Sequence, residues 1–220
     1  MLIKDRFQYP AMLDVKGKKC VIVGGGAVAA RKLATLAQAG AQVTVISPVF
    51  SAKLKEAAAL HPATLIEGGY RSGCLKDAFL VVAATDNKET NRLVTKEAPF
   101  LVNNITEPEL SNFTVPASLH KGSITIAVAS GGVPAFTRKL KELLGNAVPD
   151  ALVEFDDFLQ QQREELKSTP TTAGERTAFW HSLLDDELID LVLAGRINLA
   201  KEKVRDAVSS FRAQPQNRPR

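Results

Sequence analysis

Short apolar runs alternate with longer segments whose apolar residues recur every three or four positions, and this change of period organises the first half of the chain. Cys20-Val21-Ile22-Val23 has no polar interruption and reads as a strand buried on both faces. Beyond it the period lengthens. Val28, Ala29, Leu33, Leu36 and Ala37 lie at helical spacing, and Gly40 supplies a C-terminal cap. Gln42 to Ile46 is the second strand. A short helix over Lys53 to Leu60, a third strand at Thr64-Leu65-Ile66 and a helical turn at Leu75 to Ala78 follow. Phe79 to Ala84 is the strongest strand after the first. It leads through Thr85-Asp86-Asn87 into an amphipathic helix carrying Thr90, Leu93, Val94 and Ala98, and then into the strand Phe100 to Asn104. Strands separated by helices predict a right-handed parallel sheet.

The pattern then changes. Phe113 to Ala117 and Ile124 to Ala129 are strand-like runs with no long helix between them, and His120-Lys121-Gly122-Ser123 reads as the turn of a hairpin. Ser130-Gly131-Gly132-Val133-Pro134 opens a basic helix, Ala135 to Leu144, with Gly145 as its cap. After Pro149 every segment has helical period. Leu152, Phe155, Phe158, Leu159 and Leu166 share a face, and Pro170 ends that helix. Thr172-x-x-Glu175 has the form of a capping box for a helix through Phe179, Trp180 and Leu184. Asp186 is the expected cap of a short helix to Leu193, closed by Gly195. Asn198 is the expected cap of the last helix, with Ala200, Val204, Ala207, Val208 and Phe211 facing inward. The predicted fold class is α/β: a parallel-sheet domain over 1–112, a small α+β domain over 113–149, a helical domain over 150–213 and a disordered tail over 214–220.

Composition excludes more than it identifies. With 45% hydrophobic and 24% charged residues, the chain has the balance of an ordinary globular protein. The net charge of +4 comes with only 6% aromatic residues and no basic stripe, which argues against nucleic acid and fits an acidic small molecule. The two cysteines, Cys20 and Cys74, and the three histidines, His61, His120 and His181, form no metal or redox spacing. No apolar run approaches membrane-spanning length and no signal peptide is visible, so a cytoplasmic location is expected.

The chemistry concentrates after the first strand. Gly24-x-Gly26-x-x-Ala29, set between a strand and a helix and followed by a second strand, is the dinucleotide fingerprint that ends in alanine. Gly24 permits the tight turn, Gly26 leaves room for a pyrophosphate, and the helix start offers free N–H groups to it. The second strand ends at Ser47-Pro48 with no acid for a ribose hydroxyl and no arginine for a 2′-phosphate. Ser47 is left as the weak ribose partner, which leans to NAD.

These features resemble the siroheme synthase dehydrogenase family, whose members are precorrin-2 dehydrogenases, some of them also sirohydrochlorin ferrochelatases. The matching residues are Tyr9-Pro10, Val23 to Gly26 with Val28, Ala29, Arg31 and Lys32, then Ala83-Ala84-Thr85-Asp86, Val102-Asn103 and Pro108. Asn112-Phe113, Pro116, Ala127 to Gly132, Pro134 and Arg138 complete the set. The resemblance covers about residues 1–150, and the helical tail by arrangement only. It implies a Rossmann-type domain, a small domain forming an intertwined homodimer, and a helical domain over the active site. It also implies NAD-dependent oxidation of precorrin-2 to sirohydrochlorin, with cofactor contacts at Ala27, Val28, Pro48, Val49, Thr85 and Asp86. Asn104, His120, Lys121 and Arg138 are the candidate partners of the substrate, with Lys139 and Lys141 beside them. Bifunctional members place an aspartate three residues after the asparagine matched to Asn103. Here that position is Thr106, followed by Glu107, which makes Thr106 and Glu107 the candidates for a base and places Fe²⁺ insertion in doubt. Ser130 is a candidate catalytic residue in the glycine-rich turn. Two other readings stay open: a nucleotide-sensing regulatory module, which would carry the acid that Ser47 replaces, and another small NAD(P) oxidoreductase.

Overall fold

The computed structural model describes residues 8–213; the expected disordered tail over 214–220 lies outside them. The chain divides into two compact units that meet between Val115 and Pro116.

In the first unit β1 (Lys19–Val23), β2 (Gln42–Ser47), β3 (Ala63–Glu67), β4 (Leu80–Ala83) and β5 (Leu101–Asn104) form one parallel sheet in the order β3-β2-β1-β4-β5. The helices α1 (Ala27–Gln38), α2 (Ala52–Leu60) and α3 (Lys88–Glu97) connect the strands. Residues 72–77 form turns rather than the helical turn expected at Leu75 to Ala78. Strand β1 is central because its run is apolar throughout. Cys20 and Ile22 enter one core with Ala29, Leu33 and Leu54, while Val21 and Val23 enter the other with Leu75, Ala78 and Val94. Both faces of that strand are thus withdrawn from water, as a parallel sheet demands. Gly40, at φ 80°, ends α1 by donating to Ala37 O while Ala41 N reaches back to Leu36 O.

Helix α3 buries a different face from the one its apolar residues predict. Asn91 and Val94 are its buried residues, and Leu93 is exposed. The helix turns its Asn91–Val94–Ala98 row inward, at spacings of three and four, because Asn91 finds a complete set of partners there.

The second unit begins with a hairpin that is shifted from the expected one. The strands are β6 (Ala117–Lys121) and β7 (Ile124–Val128), paired from Ala117↔Val128 to Lys121↔Ile124. His120 and Lys121 therefore lie in a strand, and Gly122-Ser123 alone makes the turn, with Gly122 at φ 55° where a two-residue hairpin loop takes glycine. Phe113 packs instead on the sheet core of the first unit, and Pro116, which has no N–H to give a ladder, precedes β6.

Helix α4 (Pro134–Asn146) follows, and Gly145 lies inside it rather than capping it. A Cβ at Gly145 would sit 2.5 Å from Leu119 Cδ2, so the missing side chain is what lets the hairpin press onto the helix. Helices α5 (Asp150–Lys167), α6 (Ala173–Leu183), α7 (Asp186–Leu193) and α8 (Ile197–Ala213) complete the unit. Phe155, Leu166, Val192, Ala200 and Val204 are buried in one cluster. The capping box of Thr172 and Glu175 is present. Asp185, not Asp186, caps α7, and Asn198 is already within α8.

Candidate functional site

The strand order places a switch point between β1 and β4, because the chain leaves β1 toward β2 on one side and returns to β4 on the other. Ligands of open α/β sheets bind in the crevice at such a point, beyond the carboxyl ends of the strands. Three glycines lie there and do different things. Gly24, at φ 129°, is pressed against the β4 end: a Cβ would lie 2.2 Å from Ala84 O. Gly25 is pressed against the β2 end, where a Cβ would lie 2.0 Å from Val49 O. Gly24 N donates to Ile46 O at 2.9 Å and Ser51 N to Gly25 O at 2.9 Å, which locks the loop between its neighbours. A Cβ at Gly26 meets nothing within 4 Å.

Gly26 is the N-cap of α1 and brings no side chain to it, and the first turn holds no acid. The leading N–H groups, at Ala27 and Val28, therefore face an open cradle with a positive dipole end behind them. Such a cradle fits a pyrophosphate in space, charge and hydrogen bonding.

At the β2 end, Ser47 is buried and donates its hydroxyl proton to Val49 O at 2.8 Å. The expected weak ribose partner thus spends its hydrogen on its own turn. Pro48 and Val49 are exposed, Val49 by 74%, and form an apolar lip beside the cradle.

At the β4 end, Thr85 and the exposed Asp86 stand opposite that lip in sheet order. Thr85 is held by Asn91, which is 0% exposed. Asn91 Oδ1 accepts from Thr85 N at 3.1 Å and from Thr85 Oγ1 at 2.7 Å, and Asn91 Nδ2 donates to Thr85 O at 2.8 Å. Its other proton goes to Thr106 Oγ1 at 3.0 Å.

Beyond β5 the side chains are already committed. Asn104, 1% exposed, accepts from Thr106 N, Thr106 Oγ1 and Glu107 N at 3.0–3.1 Å, and its amide donates to Thr95 Oγ1 at 3.1 Å. Asn104 is therefore buried, with its amide oxygen and nitrogen bonded inside the protein. The Thr106 hydroxyl gives its proton to Asn104 and receives one from Asn91. Glu107 receives Arg92 in fork geometry, Nε at 2.8 Å and Nη2 at 2.5 Å, and this hydrogen-bonded guanidinium holds the carboxyl below the usual carboxylate range. Neither Asn91 nor Arg92 was singled out from the sequence. The available signal was a polar residue at position 91, three before Val94 on a helical face.

The remaining candidates belong to the second unit. His120 Nδ1 pairs with Thr125 Oγ1 across the hairpin at 3.0 Å. Lys121 Nζ donates to Val148 O at 2.6 Å and to Gly145 O at 3.0 Å, closing the end of α4. Ser130 is hydrogen-bonded to Thr137. Arg138 is exposed and has no ion pair among the described residues. Burial pushes the Cys20 thiol up to about 11, which removes it from any thiolate chemistry. Among the described residues no group of His, Cys, Asp and Glu could hold a metal ion, and no helix is long and apolar enough to cross a membrane.

Residues 11–117 match a family described as "Putative NAD(P)-binding", and residues 152–208 match the sirohaem synthase dimerisation region. The latter falls on the helices of the second unit, not on the hairpin. Among curated relatives, the siroheme synthase of Methylobacillus flagellatus is 32% identical over 91% of this chain and 44% of its own length. That of Nitrosococcus oceani is 33% identical over 85% and 41%, and that of Photobacterium profundum 32% over 94% and 45%. The chain thus spans less than half the length of these relatives. Its fold is that of the solved precorrin-2 dehydrogenase SirC, with a TM-score of 0.74 and 24% identity over 94% of this chain and all of that one.

Proposed function

From the match of its first unit to an NAD(P)-binding family and its likeness to siroheme synthases over less than half of their length, we propose that the chain oxidises precorrin-2 to sirohydrochlorin with NAD as the acceptor. The observation that carries the reading is the open cradle at Gly26, where a side chain would meet nothing while the two glycines before it are packed solid. Ala27 and Val28 would hold the pyrophosphate through their N–H groups. Pro48 and Val49 provide the apolar lip for the adenosine half, and Thr85 and Asp86 bound the other end of the crevice. When bound, NAD would supply the acceptor for one hydride of the macrocycle, with a proton lost to solvent, so that the electrons balance. The protein's share is to hold two reactants in register, an effect worth up to roughly 7–11 kcal/mol when alignment is complete.

Metal insertion is not part of this proposal. A base is needed to help remove pyrrole protons, and general acid–base assistance contributes about 10²–10⁴-fold. Thr106 has no acidic proton to lose near neutral pH and its hydroxyl is bonded in both directions. Glu107 is neutralised by Arg92. Arg138 remains as a cation for a substrate carboxylate, with Ser130 in the turn before its helix. The active form is a homodimer in the cytoplasm, with residues 1–112 for the dinucleotide and 113–149 with the helices of 150–213 for assembly.

The test is direct: purified protein, NAD and precorrin-2, followed by sirohydrochlorin absorbance and NADH formation together. Equal rates of both are expected. Sirohydrochlorin without NADH, or no reaction with either dinucleotide, contradicts the proposal.

A further inference from the structure

A fully buried asparagine on the helix after β4 carries more than the packing of that helix requires. Asn91 uses both lone-pair directions of its carbonyl and both amide protons. Three of these bonds go to one residue, Thr85, at its N–H, its C=O and its hydroxyl. The fourth crosses to Thr106 in the loop after β5. The effect is to fix both peptide groups of Thr85, and with them the entry to Asp86, in a loop that has left the sheet ladder. An apolar residue at position 91 would fill the same space and pack against Val94 and the sheet. A side chain that instead satisfies one loop residue at every polar atom is arranged for the position of that loop.

The loop lies at the switch point. Ala84 O is the atom nearest to a Cβ built at Gly24, so the Thr85 segment and the glycine loop share a border. A displacement of Thr85 by an ångström changes the width of the crevice there.

We infer that Asn91 is a positioning residue for the dinucleotide: it sets the Thr85–Asp86 wall of the crevice and, through Thr106, makes that wall depend on the loop after β5. The inference rests on the proposed function, since it concerns the cofactor of that reaction. Thr106 acquires a role by the same argument. It is the far anchor of the cofactor wall, receiving the Asn91 proton and passing its own to Asn104, whose Oδ1 is held by two backbone N–H groups.

The experiment is a double-mutant cycle on the full chain, Asn91→Ala and Thr106→Val, read by the Kd for NAD from calorimetry at a temperature where circular dichroism shows each variant folded. Thr106 is exposed, so its variant keeps the cycle informative even if Asn91→Ala unfolds early. The expected result is a Kd raised about 10- to 100-fold for Asn91→Ala and about 3- to 10-fold for Thr106→Val, with the double variant weaker by less than the product, because both changes remove one shared bond. In steady-state assays KM for NAD should rise while KM for precorrin-2 stays within about twofold, a split that loss of general stability does not produce. Folded Thr106→Val with wild-type NAD affinity, or strictly multiplicative effects, overturns the inference while the functional reading stands. A wild-type chain that binds no dinucleotide overturns the functional reading itself, and this inference with it.

Discussion

Three adjacent glycines show how differently the same residue type can be used. Gly24 and Gly25 lack side chains because carbonyl groups just beyond the ends of the neighbouring strands occupy the space, whereas Gly26 lacks one facing an open cradle. Gly26→Val should therefore keep its melting temperature within a few degrees and lose NAD affinity by at least about 100-fold, since the branch enters the pyrophosphate space. Gly25→Ala should do the reverse first, lowering stability by about 1–3 kcal/mol through overpacking. Thermal melts beside NAD titrations separate the two.

At position 106 the surroundings work against a carboxylate. Thr106→Asp would set one against Asn104 Oδ1, which two backbone N–H groups hold in place. Two acceptors facing each other disfavour the charged form, so metal insertion by this variant should rise less than about 10-fold, short of what a free base supplies. Measured Co²⁺ insertion into sirohydrochlorin decides this. Glu107 differs, because the Arg92 hydrogen bonds lower its pKa in the folded state. The sign follows: the pair favours folding above the unfolded value of about 4.3, and that contribution is lost as pH falls through the lower folded value. Arg92→Ala should return the Glu107 carboxyl toward the ordinary range, visible in a carbon-detected NMR titration.

Among elements, the hairpin and α4 depend on each other. Lys121 closes the C-terminal end of α4, and Gly145 of α4 admits Leu119 from β6. A two-stranded hairpin is marginal alone, so this mutual support accounts for its persistence. Lys121→Met keeps the apolar stem and removes the donor. It should cost about 1–2 kcal/mol in denaturant unfolding and leave NAD affinity unchanged, since the dinucleotide elements belong to the other unit. The displaced hairpin also shows where pattern reading stops. Phe113 to Ala117 alternates as a strand would, but Phe113 is taken by the sheet core of the first unit and Pro116 has no ladder proton. Pairing begins at Ala117 instead, where the Gly122-Ser123 turn sets the register.

For the whole molecule, the second unit exposes Val133, Phe136, Leu143 and Leu144 along α4, and a second copy of the chain is the proposed cover. Light scattering at micromolar concentration should give twice the 23.7 kDa chain mass, and Phe136→Asp should shift it toward the single mass. The alternation of periods and the glycine spacing were enough to define the parallel sheet, the fingerprint loop and the helical second half, because burial on both faces and tight turns each restrict which residues can stand at successive positions. They could not reveal that Gly25 is packed while Gly26 is open, that Ser47 spends its proton on its own turn, or that Asn91 reaches Thr85 and Thr106. Those facts depend on which strand ends become neighbours, and residues 24, 47, 85, 91 and 106 meet only when the chain closes its sheet. The sequence determined the elements and the kind of ligand they suit; only the tertiary structure decided which polar atoms remain free to meet it, since a hydrogen bond made within the fold is no longer available to a ligand.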